Sequence, residues 1–112
     1  MAKWFLISYT DCKDPSREDD FNEWYDKIHL PDALKFPELV SATRYANIDP
    51  EVTSNKFLAI HEIETDDINK TMAALKEYAS RLEEQGRYTD LLNRGPTAVY
   101  KQISSLSKSE SC

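Results

Sequence analysis

The stretch that decides the fold is Phe21-Asn-Glu-Trp-Tyr-Asp-Lys-Ile-His-Leu-Pro31. At helical spacing Phe21, Trp24, Tyr25 and Ile28 share one face, at i, i+3, i+4 and i+7. His29 comes four residues after Tyr25 and flanks that face. Asn22, Glu23, Asp26 and Lys27 take the other side. This is an amphipathic helix that turns two large aromatics and an imidazole toward a core. Upstream, Ser16 is placed to cap it, and Glu18, Asp19 and Asp20 sit where acids favour the positive end of the helix dipole. Downstream, Pro31 disfavours helical geometry at Leu30, so a break or kink is expected there. A helical turn over 31–36 fits after it, and Pro37 ends that turn.

On either side of this helix the apolar period changes from 3.6 to 2. Lys3–Thr10 reads as a strand, with Trp4, Leu6 and Ser8 on one face and Phe5, Ile7 and Tyr9 on the other. Leu39–Ile48 reads as a second, with Val40, Ala42, Arg44 and Ala46 opposed to Ser41, Thr43 and Tyr45. Lys56–Glu64 is a third, joined to the second by a long turn from Asp49-Pro50 to Asn55. Asp66 or Asp67 caps a further helix whose stripe is Ile68, Met72, Leu75, Ala79 and Leu82, and Gly86 ends it. Arg87–Arg94 reads as a connection with room for a short turn. Thr97–Ile103 is the last strand.

The order is β-α-β-β-α-β, the ferredoxin-like α+β arrangement: a four-stranded antiparallel sheet with two helices on one face. Strands one and three carry apolar residues on both faces. Helices on one side leave the other face uncovered, and a two-fold homodimer through that sheet face is the economical cover.

Composition bounds the rest. A chain of 112 residues makes one domain, expected over residues 1–103, with a serine- and lysine-rich tail expected to be disordered over 104–112. The net charge of -6 argues against nucleic acid and anionic membrane surfaces as partners. No apolar run spans a bilayer, and Met1–Ser8 is too short for a signal peptide, so a cytoplasmic setting is expected. The two cysteines, Cys12 and Cys112, read as free thiols. No Cys/His spacing suits a metal, and no glycine-rich or nucleotide fingerprint calls for a cofactor.

Phe21–Leu34 together with Phe36-Pro-Glu-Leu-Val-Ser-Ala-Thr-Arg-Tyr45 resembles the EthD-like branch of the dimeric α/β-barrel superfamily. The resemblance rests on Trp24, Tyr25, His29, Pro31, Pro37, Arg44 and Tyr45, and with the element order it spans residues 3–103. Glu38 stands where family members often have glycine, and the tail falls outside the pattern. The superfamily includes cofactor-independent monooxygenases, muconolactone isomerases, polyketide cyclases and haem-degrading enzymes. The resemblance implies a pocket between sheet and helices. His29 is then the expected general acid or base, with Tyr9 and Tyr45 as phenols that stabilise an enolate. Trp24, Tyr25, Ile28 and His61 are expected to border the ligand.

Each of these residues also has a plainer role. His29 can cap helix carbonyls, Trp24 and Tyr25 can be core, and His61 can be a satisfied core or interface histidine. Three readings result. The first is a cofactor-independent small-molecule enzyme acting on a carbonyl-bearing aromatic or polyketide-like compound. The second is a non-catalytic binder of a hydrophobic ligand, or of haem through His29 or His61. The third is a dimer with no small-molecule site.

Overall fold

The computed structural model describes residues 2–108; Cys112 and the expected tail beyond 108 lie outside the described residues. Strand β1 (Ala2–Cys12) is followed by a short 3-10 turn (Pro15–Arg17) and a helical column in three parts: α1 (Glu18–Trp24), a π turn (Tyr25–His29) and α2 (Leu30–Leu34). Then come β2 (Leu39–Ala46), β3 (Phe57–Thr65), α3 (Ile68–Glu84) and β4 (Leu92–Lys101). The four strands pair antiparallel in the order β2-β3-β1-β4. This is the ferredoxin-like α+β fold that the alternation predicts.

Strand β3 sets the layers. Phe57, Ala59, His61, Ile63 and Thr65 are buried, while the residues between them are half-exposed. Across the ladder, Trp4, Leu6, Ser8 and Thr10 of β1 and Ala42, Arg44 and Ala46 of β2 pair with that buried set. They therefore face the helices. One core cluster joins Phe21 and Tyr25 to Phe57 and Ala59. A second joins Ala33, Phe36, Leu39 and Ile63, with Met72, Leu75 and Tyr78 of α3 packed on it. Phe5, Ile7, Tyr9, Thr43, Tyr45, Leu58, Ile60, Ala98 and Tyr100 occupy the opposite face, which no element among the described residues covers.

Four differences from the sequence reading alter caps, faces or strand ends. Asp14, not Ser16, is the first cap: its Oδ1 accepts from the Ser16 N–H, and α1 begins at Glu18. The register of β2 shifts between Leu39 and Ser41, so Leu39 is buried and Val40 turns outward at 45% exposure; one inserted residue exchanges the faces. Cys12 ends β1 instead of lying in a loop, and its thiol is free, buried and donates to the Asp14 carbonyl. Strand β4 begins at Leu92, ahead of the expected start at Thr97. Gly95-Pro96 forms a bulge opposite Tyr9, on an edge strand where proline's missing N–H is tolerated.

The two helix caps hold. Asp67 accepts from the Lys70 N–H. Gly86, at φ +73°, closes a Schellman turn in which Arg87 N–H bonds to the Leu82 carbonyl and Gly86 N–H to that of Glu83.

Gly95 and Gly86 are glycines for different reasons. A Cβ on Gly95 would lie 2.4 Å from Asn55 Oδ1 and 3.0 Å from the Tyr9 carbonyl, whereas one on Gly86 would meet nothing within 4 Å. Gly86→Ala therefore costs about 1 kcal/mol, for the left-handed backbone alone, and Gly95→Ala about 1–3 kcal/mol, for steric conflict. Adding Asn55→Gly should recover part of the Gly95→Ala loss, because Asn55 itself sits at φ 56°. Urea unfolding of the wild type and the three variants checks this, and a Gly95→Ala protein as stable as the wild type would refute the bulge.

Candidate functional site

The site begins with a missing hydrogen. Pro31 has no N–H to give to the turn before it, and its ring crowds the carbonyl four residues back. The helix responds by widening over Tyr25–His29: the Leu30 N–H reaches back five residues to the Tyr25 carbonyl. The expected kink at Leu30-Pro31 thus takes the form of a π turn, and helical backbone continues through Leu34. The extra residue in the turn rotates the side chains beyond Tyr25. Ile28, expected on the inner stripe, stands 36% exposed. His29 takes the inward position instead.

Three aromatic rings hold the His29 imidazole. Trp24 stacks on it at 5.0 Å and 19°, Tyr25 meets it edge-on at 4.9 Å, and Tyr88 lies tilted at 5.4 Å. Each ring is itself fixed. Trp24 Nε1–H donates to the Arg87 carbonyl at 2.9 Å. Tyr25 carries the Arg44 guanidinium 4.1 Å above its ring, and Arg44 donates to Asp26 at 3.0 Å and Asn22 at 2.9 Å. Tyr88 is the residue after Arg87, which binds both carboxylate oxygens of Asp32 at 2.8 and 3.1 Å. Asp32 is 4% exposed, and its backbone carbonyl accepts from the Tyr78 hydroxyl at 2.6 Å. The turn after α3 is thereby strapped to α2.

Between α3 and the sheet lies a cavity of 330 Å³. Leu6, Ser8 and His61 form part of its floor, Leu75, Ala79 and Leu82 its roof, and His29, Tyr25, Tyr88 and Arg94 its rim. His61 is 5% exposed, with Nδ1 3.4 Å from the Leu6 carbonyl. Burial lowers the pKa of both imidazoles. His29 falls from 6.5 to about 4, chiefly through desolvation, then through nearby His61, with Asp32 opposing and Arg94 and Arg44 adding to the fall. His61 is lowered by burial and partly restored by the Leu6 carbonyl. Both are neutral at pH 7, so each ring keeps a nitrogen lone pair that can accept a proton. Burial likewise raises Tyr25 and Tyr88 above the ordinary phenol value, which leaves them as hydroxyl donors. No group of three His, Cys, Asp or Glu among the described residues is placed to hold a metal.

Of the residues expected at the site, His29, Tyr25 and His61 meet around this cavity. Trp24 backs His29 and does not border the cavity, and Ile28 faces away. Tyr45 is a correction: it pairs with Leu58 on the uncovered face of the sheet. Tyr9 pairs with Leu58 from the other side and directs its ring to that same face, touching the cavity rim only at the β4 bulge. The phenols that do line the cavity are Tyr25, Tyr78 and Tyr88. Tyr78, Tyr88 and Arg94 are absent from the sequence reading. Gly86 marks the end of α3, and so places Tyr88 beside the site; nothing in the sequence places Arg94 there.

No family model matches the chain, and no curated protein does. Solved structures match over nearly the whole length. HapK from Hahella chejuensis superposes with a TM-score of 0.68 at 13% identity, covering 95% of this chain and 98% of its own. A monooxygenase from the gene ActVA-Orf6 of Streptomyces coelicolor, in complex with Nanaomycin D, gives 0.61 at 13% identity, covering 96% and 93%. An EthD family protein from Bacillus halodurans gives 0.53 at 16% identity, covering 92% and 100%. At these identities the likeness establishes the fold alone, the ferredoxin-like α+β sheet with its helices on one face. No helix among the described residues is long and apolar enough to cross a membrane.

The imidazole shifts set a pH window. The folded chain binds protons at His29 less readily than the unfolded chain, so this contribution to stability is complete above pH 6.5 and is lost as pH falls toward 4. Between pH 7 and 4.5 the loss from His29 should be about 2 kcal/mol. Asp32, held below 3.8 by Arg87, titrates below that window. Urea unfolding across the range should show the slope in the wild type and a flatter one in His29→Gln. Equal slopes would mean His29 is not shielded from water.

Proposed function

We propose that this chain is a cofactor-independent small-molecule enzyme that removes a proton beside the carbonyl of an aromatic or polyketide-like compound, with His29 as general base. The observation that carries the reading is a neutral imidazole, clamped by Trp24, Tyr25 and Tyr88, on the rim of a cavity of 330 Å³. Such a volume suits a compound of two or three fused rings.

The chemistry rests on the groups present. The His29 lone pair takes a C–H proton, and the C–H electron pair moves onto the carbonyl oxygen as an enolate. Neutral Tyr25 and Tyr88 hydroxyls are available to donate hydrogen bonds to that oxygen. The imidazolium gains from the Trp24 π face and from the Asp32 carboxylate, whose field raises the His29 pKa. From one enolate four outcomes diverge: reprotonation at another carbon isomerises, attack on an internal carbonyl cyclises, loss of a β-hydroxyl dehydrates, and electron transfer to dioxygen begins oxygenation. The monooxygenase of the same fold that holds a small molecule supports this class of reading.

Residues 1–103 would form the working domain, with 104–112 outside it. The uncovered face, with Phe5, Ile7, Leu58 and Ile60 at its centre and Tyr9, Tyr45 and Tyr100 around them, would pair with a second copy across a two-fold axis. A second reading has one observation in its favour. A pKa of about 4 is low for a base working at neutral pH, as expected of a cavity that only holds a hydrophobic ligand.

Two experiments decide. Loss of the proton signal beside the carbonyl of aryl ketones in D2O, monitored by NMR, should be accelerated by the wild type and slowed about 10²–10⁴-fold by His29→Gln. Exchange unchanged in that variant removes the base and leaves the binder. Light scattering should give twice the chain mass of 12.9 kDa for the wild type and the single mass for Ile60→Glu. A wild-type monomer refutes the sheet-face pairing.

A further inference from the structure

The cations around the helix–sheet layer are mostly committed. Arg44 is bound to Asp26 and Asn22, Arg87 to Asp32, and Lys56 to Glu18. Arg94 differs. It borders the cavity, its guanidinium lies 5.0 Å over the Tyr88 ring, and no carboxylate among the described residues pairs with it. It stands on β4 one residue before the Gly95 bulge, opposite Thr10, so a rigid strand carries it to the rim. Tyr88 in turn lies 5.4 Å from His29, which puts the cation, the phenol and the imidazole in sequence along one wall. The other charged side chains bordering the cavity are Lys76 and Glu83 of α3. Lys76 is exposed, as Arg94 is, but has no aromatic partner to orient it.

We propose that Arg94 is a specificity-determining residue that binds an anionic group of the ligand, a carboxylate or sulfonate carried on an aromatic skeleton. This rests on the cavity being the ligand site described above. A guanidinium stacked on a ring has its planar fork pre-oriented, and that fork matches two oxygens of an oxyanion. The apolar roof of Leu75, Ala79 and Leu82 accepts the rings, and Arg94 at the rim takes the charge that cannot be buried there. A neutral compound of the same shape fills the same volume and leaves the guanidinium unpaired.

Two fluorescent probes separate these terms, because they share one skeleton. 1-Anilinonaphthalene-8-sulfonate carries the anion, and N-phenyl-1-naphthylamine lacks it. The wild type should bind the sulfonate about tenfold more tightly than the neutral amine, the scale of one charge-assisted hydrogen bond. Arg94→Gln should erase that preference and leave the affinity for the amine unchanged, while Lys76→Gln keeps the preference. Near-ultraviolet circular dichroism of Arg94→Gln should match the wild type, and Arg94→Lys should hold part of the preference. Equal affinities in the wild type, or a preference that survives Arg94→Gln, overturn the assignment while leaving the cavity intact. Binding of both probes that is insensitive to Ala79→Trp, which fills the roof, overturns the cavity as ligand site and this proposal with it.

Discussion

A proline inside a helix governs the geometry of this molecule. Pro31 subtracts one donor from the helical ladder and adds a ring where a carbonyl should be. The chain could have answered by ending the helix. It widens one turn instead, and the Leu30 N–H reaches five residues back to the Tyr25 carbonyl. The cost is a change of phase between the two halves of the column. Phe21 and Tyr25 still pack on Phe57 and Ala59, and Ala33 still packs on Ile63. What the phase change moves is the residue between them, and that residue is His29. π turns recur where a side chain must be re-aimed without breaking a helix.

A turned imidazole needs fixed surroundings, and a second constraint supplies them. The bidentate Arg87–Asp32 pair joins the end of α3 to the start of α2. Asp32 is buried, so removing Arg87 would leave its charge without compensation. The strap also sets Trp24, through the Arg87 carbonyl, and Tyr88, the next residue along. Two of the three rings around His29 therefore depend on one ion pair whose residues do not line the cavity.

The layers were legible in the sequence because burial tracks alternation, and β3 alternates without a fault from Phe57 to Thr65. The faults elsewhere are inserted residues. One at Val40, one at the Gly95-Pro96 bulge and one in the π turn each invert or rotate the side chains beyond them. A periodic reading has no means of seeing an insertion, since residue types on both sides remain plausible. That is why Ile28 was expected on the inner stripe and Val40 on the same face as Ala42 and Arg44. The misplacement of Tyr45 has another source: its strand face was read correctly, but the face was assigned to the cavity on a resemblance. Arg94 was hidden because Gly95-Pro96 reads as the end of a turn ahead of the last strand, whereas an edge strand tolerates it as a bulge.

The composition of the inner layer argues against a purely structural role for it. Ser8, Thr10 and His61 occupy helix-facing positions of central strands, where leucine or valine would pack without any polar atom to satisfy. Two imidazoles held neutral by burial reduce stability in mild acid and return no packing that an aliphatic side chain could not supply. Meanwhile α3, packed on Ile63 through Met72 and Leu75, also roofs the cavity with Leu75, Ala79 and Leu82. The same strands carry Ile7, Leu58 and Ile60 outward on the face that is free of helices. Each central strand thus carries Ser8, Thr10 or His61 among apolar residues on its inner face, and an apolar outer face. The inner face thus holds both the packed core and the cavity, and a second copy on the outer face would stiffen the strands that carry Ser8 and His61 without entering that cavity.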